Sequence, residues 1–86
     1  MEKIVKILNE SGIHARPAGI FVKIANGFAA DIQIEVNGKT LNAKSIMNVL
    51  SLGIKKNDEI KIIAKGDDAE KAVEELVNLV NSKFGE

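Results

Sequence analysis

Cysteine, tyrosine and tryptophan are all absent from this sequence. Without thiols there is neither a disulfide framework nor a thiolate metal site to hold the fold, and the composition suits a reducing compartment. Three Phe are the only aromatic residues, and twelve basic side chains are balanced by twelve acidic ones. That combination argues against nucleic-acid binding, which usually needs a net basic face and often stacking aromatics. No apolar run approaches the roughly 20 residues that span a bilayer, and Met1-Glu2-Lys3-Ile4 lacks the regions of a signal peptide. A cytoplasmic chain without membrane insertion is therefore expected. Clusters of His, Asp and Glu with ligand spacing are missing too, so no metal and no cofactor is expected.

What is there is 86 residues, 45% of them apolar, enough for one core and read as a single domain over 1–86. The sequence holds one histidine, one arginine and one proline, and all three fall in Gly12-Ile13-His14-Ala15-Arg16-Pro17. Every other cation is lysine. Using arginine only here points to a need for a planar, permanently charged fork that grips an oxyanion. Pro17 fits the first turn of a helix, where a missing N–H costs nothing, and Gly12 allows a sharp turn just upstream. His14 would thus be a nucleophile at a helix opening, where unpaired amides favour a phosphate group.

Along the chain, Lys3 to Leu8 reads as a first strand, followed by the polar turn Asn9-Glu10-Ser11-Gly12. From Arg16 to Gly27 the pattern is helical, with Ala18, Phe21 or Val22, Ala25 and Phe28 as the apolar stripe. Ile20 and Lys23 fall away from that stripe. Asp31 to Val36 alternates polar and apolar residues as a half-buried strand does, and Asn37-Gly38 supplies a two-residue type I′ turn into a partner strand, Lys39 to Ala43. Lys44 to Leu50 predicts a short helix with Ser45 as its N-cap. Ile46, Met47, Val49 and Leu50 are too many apolar residues for its one narrow stripe, so either some face solvent or a partner or the short helix is sunk deeply in the core, and composition weights the two about equally. Glu59 to Lys65 is the fourth strand. The last helix begins near Asp67, which with Glu70 is spaced like a capping box, and it buries Ala69, Ala72, Val73, Leu76, Val77 and Val80. Ser82 to Glu86 is expected to fray.

The resulting order, β-α-β-β-α-β-α, predicts an α+β open-faced β-sandwich: a four-stranded, mainly antiparallel sheet with three helices on one face. The helix openings near Arg16 and Ser45 are its two natural anion sites, whereas Asp67 and Asp68 make the third opening acidic.

Gly12-Ile13-His14-Ala15-Arg16-Pro17-Ala18, Lys44-Ser45-Ile46-Met47 and Leu50-Ser51-Leu52-Gly53 together resemble the HPr family, the histidine-containing phosphocarriers of the bacterial sugar phosphotransferase system. The resemblance covers essentially the whole chain and implies the strand order 1-4-2-3. It implies that His14 takes a phosphoryl group through Nδ1 from phosphorylated enzyme I and passes it to IIA domains of sugar permeases, with Arg16 holding phosphate oxygens. Such a protein is a carrier and not a stand-alone enzyme. Ser45 matches the family's regulatory serine, which implies HPr kinase/phosphorylase and the catabolite control protein as further partners, and so a link to transcription regulation. The docking surface would comprise Ala15, Pro17, Gly19, Ile20 and Lys23 from the first helix and Ile46, Met47 and Leu50 from the second. Gly19 and Asn48 depart from the family's usual residues near that surface. A monomer forming transient complexes is expected. The competing readings are an HPr-like module regulated only on serine, which His14 argues against, and a nitrogen-regulatory carrier, which the Ser45 segment argues against. A small hydrolase would need a second titratable group near His14, and the motif has none.

Overall fold

The computed structural model describes residues 1–85. Its elements are strand β1 (Glu2–Lys6), helix α1 (Ala15–Asn26), strands β2 (Asp31–Val36) and β3 (Lys39–Asn42), helix α2 (Ile46–Ser51), strand β4 (Glu59–Lys65) and helix α3 (Ala69–Asn81). The four strands form one sheet in the order β1-β4-β2-β3, and every pairing is antiparallel. Alternation decides which face is covered. Ile32, Ile34 and Val36 of β2 and Ile60, Ile62 and Ala64 of β4 are buried, while the residues between them point to the open face. Against the covered face lie Ala18, Phe21 and Ala25 of α1, Val49 of α2, and Ala72, Val73, Leu76 and Val80 of α3. None of the helices described is long and apolar enough to cross a membrane.

The hairpin between β2 and β3 turns at Asn37 and Gly38, with φ of 51° and 83°. Both signs are those of a type I′ turn, whose twist matches the flanking strands. The first strand is shorter than the pattern suggested. Its ladder continues irregularly through Ile7, whose N–H donates to Asp58 O at 2.9 Å and whose carbonyl accepts Asn57 N–H at 2.8 Å.

Two expectations are corrected. The C-terminal segment does not fray across its described part: Lys83–Gly85 forms a 3-10 turn and Phe84 is buried. Burial of an aromatic ring, roughly 1.5–3 kcal/mol, is enough to hold a short tail. Glu86 lies outside the described residues. The Asp67–Glu70 capping box is also not the device used. Helix α3 begins one residue later, with Asp68 at its N-cap position, and the Asp68 carboxylate caps something else. It accepts the N–H groups of Ala29 and Ala30, both at 2.8 Å, and so ties the loop before β2 to the start of α3. Lys44 closes the same corner from the other side, its Nζ donating to Phe28 O at 2.8 Å.

The Ala29 amide above all, together with that of Ala30 and the charge of Lys44, holds the Asp68 carboxyl below its usual range. A carboxyl depressed in the folded state stabilises the fold above its unfolded pKa of about 3.9, and that contribution fades as pH falls through the lower folded value. Asp68→Asn should therefore lower the melting temperature at neutral pH. It should also flatten the loss of stability between about pH 4 and the acid limit, which thermal melts over a pH series would measure.

Candidate functional site

The path to His14 is fixed before the helix begins. Asn9 to Gly12 makes a tight turn in which Gly12 N–H donates to Asn9 O at 3.1 Å, and Gly12 sits at φ +63°. A side chain there would run into the backbone of Ile54 and Lys55, so the close approach of the two loops requires glycine. Ile13 is buried and its N–H donates to Ile54 O at 3.0 Å. Glu10 pairs with Lys56 across the same two loops, and the hydrogen bond from Lys56 holds the Glu10 carboxyl below the ordinary glutamate range. Behind this contact Asp58 accepts Lys55 N–H at 2.8 Å, closing the second loop on itself.

His14 occupies the N-cap position of α1 in an extended conformation, φ −100° and ψ −165°. Its carbonyl accepts Ala18 N–H at 2.9 Å, the first bond of the helix. His14, Ala15 and Arg16 are all exposed, whereas Pro17 is fully buried. The open first turn thus offers the amides of Ala15 and Arg16, while Pro17 has none to offer and anchors the turn through its ring. An extended residue at this place, flanked by a guanidinium and by amides at the positive end of a twelve-residue helix, suits an oxyanion.

Ser45 caps α2. Its backbone is extended, its Oγ accepts Asn48 N–H at 3.3 Å and its carbonyl accepts Val49 N–H at 3.1 Å. Within α2, Val49 points into the core, and Ile46, Met47 and Leu50 are 40%, 74% and 37% exposed. Three of the six exposed large apolar side chains described thus belong to one six-residue helix. Helix α1 meets α2 at Gly19, where an added methyl would lie 3.8 Å from Ile46 Cδ1, an ordinary contact. Gly19 is therefore compatible with a larger residue. Asn48, the other departure, is half-buried, and its side chain reaches Asn42 O at 3.4 Å. Lys23 is exposed as expected, but Ile20 is only half exposed.

Two features escaped the sequence reading. Asn9, taken as part of a polar turn, is buried, and its Nδ2 donates to Gly12 O. Ile54, which faces Gly12 and Ile13 from a distant loop, carries no local signal at all. Among the described residues no three His, Cys, Asp or Glu side chains come together as metal ligands.

A family model described as the PTS HPr component phosphorylation site matches residues 1–82. Among solved structures, HPr-C-His from Thermoanaerobacter tengcongensis is 46% identical, with 100% of this chain and 97% of that chain covered and a TM-score of 0.97. Phosphocarrier protein HPr from Bacillus anthracis is 49% identical over 93% of this chain and 95% of its own, with a TM-score of 0.90. Crh, a catabolite repression protein of Bacillus subtilis, is 40% identical over 92% of this chain and 91% of its own, with a TM-score of 0.78, and crystallised as an intertwined dimer with a swapped domain. Sheet order, helix placement and sequence agree, and the chain belongs to the HPr family of phosphotransferase-system phosphocarrier proteins.

Proposed function

We propose that His14 accepts a phosphoryl group from the phosphohistidine of enzyme I and delivers it to IIA domains of sugar permeases. The observation that carries this reading is the position of His14: exposed, extended, and at the opening of α1 with Arg16 in the first turn. In each transfer one N–P bond forms at the accepting imidazole as another breaks at the donor, so no phosphate is released to water. The helix end favours the phosphorylated product by about 0.3–1 kcal/mol, and Arg16 adds charge-assisted hydrogen bonds to its oxygens. Ile46, Met47 and Leu50 with Ile20 form the apolar part of the docking surface, Lys23 marks its edge, and Ala15 and Gly19 complete it; Pro17, expected there from the family resemblance, is fully buried and shapes the helix entry from beneath. The chain works as one unit in the cytoplasm and, in contrast to the swapped Crh dimer, as a monomer, which sedimentation equilibrium would decide.

Intact mass after incubation with phosphoenolpyruvate, magnesium and enzyme I tests the carrier reading. One acid-labile phosphate per chain is expected. No phosphate, with an enzyme I active on another HPr, would refute it. In the same reaction Arg16→Lys should slow transfer about tenfold, equivalent to roughly 1.4 kcal/mol, because the charge stays but the fork is lost. Unchanged rates would remove Arg16 from the oxyanion site.

Ser45 has two compatible roles, N-cap and regulatory phosphorylation site for the HPr kinase/phosphorylase, the phosphorylated form being recognised by the catabolite control protein. The kinship with Crh supports the second. Asp caps helices as well as Ser does, so Ser45→Asp changes charge while sparing α2. It should raise the concentration of enzyme I needed for half-maximal transfer about tenfold, or roughly 1.4 kcal/mol of association, with the maximal rate retained. Equal concentration dependence in a transfer titration would leave Ser45 as a cap alone.

A further inference from the structure

Among the described residues, Asn9 is the one buried polar side chain, 2% exposed, and its Oδ1 has no hydrogen-bond partner. Burying an amide with half its capacity unmet works against stability, and an apolar side chain of similar shape would avoid that cost. What the amide secures is the backbone leading to His14. Its Nδ2 holds the Gly12 carbonyl, the oxygen of the peptide group that joins Gly12 to Ile13. The nitrogen of that same peptide group is held by Ile54 O at 3.0 Å. One residue later the His14 carbonyl is committed to α1 through Ala18 N–H at 2.9 Å. His14 is therefore bracketed by a peptide clamped at both ends upstream and a helix downstream.

We infer that Asn9 is a positioning residue for phosphoryl transfer, acting through the Gly12 carbonyl to aim the His14 side chain. The inference rests on the phosphocarrier reading of His14. Releasing the Gly12–Ile13 peptide lets His14 sample orientations away from the in-line approach, and misplacement by about an ångström can cost up to two orders of magnitude in rate.

Single-turnover transfer from phosphorylated enzyme I, quenched over a range of enzyme I concentrations, separates the maximal rate from the half-saturating concentration. Asn9→Ala should lower the maximal rate about tenfold and leave the half-saturating concentration within about twofold. The discriminating variant is Asn9→Leu, which matches the shape of Asn and removes the unmet oxygen. A packing role predicts equal or higher melting temperature with wild-type transfer, and that outcome overturns the proposal; slower transfer in a fully folded Asn9→Leu supports it. In the wild-type chain, backbone amide order parameters of Ile13 and His14 from NMR relaxation should equal those of α1. Markedly lower values would overturn the proposal even if neither variant folds. A wild-type chain that takes no phosphate from active enzyme I refutes the carrier reading itself, a result distinct from a phosphorylated wild type whose variants match its rate.

Discussion

His14→Ala is expected to take the phosphate gained from enzyme I from one per chain to none. On the carrier reading the loss is complete because the imidazole itself forms the N–P bond, and alanine offers no nucleophile in its place. The variant should stay folded. His14 is exposed and its side chain caps no helical N–H, while the carbonyl that opens α1 belongs to the backbone and survives the substitution. Matching melting temperatures would therefore establish that the missing phosphate reflects missing chemistry. Acid-labile phosphate retained by a folded His14→Ala chain would place the acceptor elsewhere and dismiss the assignment of His14.

Gly12→Ala should be the most damaging small substitution near the site. At φ +63° an alanine costs roughly 1–2 kcal/mol for its left-handed backbone alone. Its Cβ would also meet Ile54 O and come within 2.8 Å of Lys55 Cα, backbone atoms that cannot rotate aside. Together these effects should reach about 3 kcal/mol or more, which for a domain of this size corresponds to a fall of about 10–20 °C in melting temperature. Gly53→Ala is the control. Its φ is also positive, +60°, but an added Cβ meets nothing within 4 Å. Comparable melting temperatures for the two variants would show that the loop contact is not what makes glycine necessary at position 12.

Much of the fold was legible because its signals are local. The alternation of Asp31 to Val36, the Asn37-Gly38 turn and the Ser45 cap each depend on a few neighbouring residues, and the structure keeps all three. What could not be read depends on partners far away in the chain. Asp68 reads only as one of two acidic residues at the opening of the last helix, but the loop at Ala29 and Ala30 presents two amides to its carboxylate and engages it there. Phe84 sits in a polar tail whose local composition favours fraying, and only the core it meets holds it down. The strand order came from family resemblance and not from periodicity, which says which face a strand buries but not which strand lies beside it. At the site, the motif marked His14 and Arg16, while the surplus of apolar residues in α2 did not decide between an exposed face and a helix sunk in the core; the structure exposes Ile46, Met47 and Leu50. The burial of Asn9 was hidden, because its neighbours Glu10 and Ser11 are exposed and read as an ordinary solvated turn.

The central place of β4 also sets the order in which the protein is completed during synthesis. The hairpin of β2 and β3 can close as soon as it emerges, but Glu2 pairs with Ile63, so the first strand made waits for nearly the last. Closure over such a span is entropically late, and contacts of this kind slow folding. The loop leading to His14 shares that wait, since its anchor, Ile54, precedes β4 by only a few residues. A nascent chain thus carries the histidine from early in translation but lacks the loop contact that fixes the backbone before it until most of the sequence has been made.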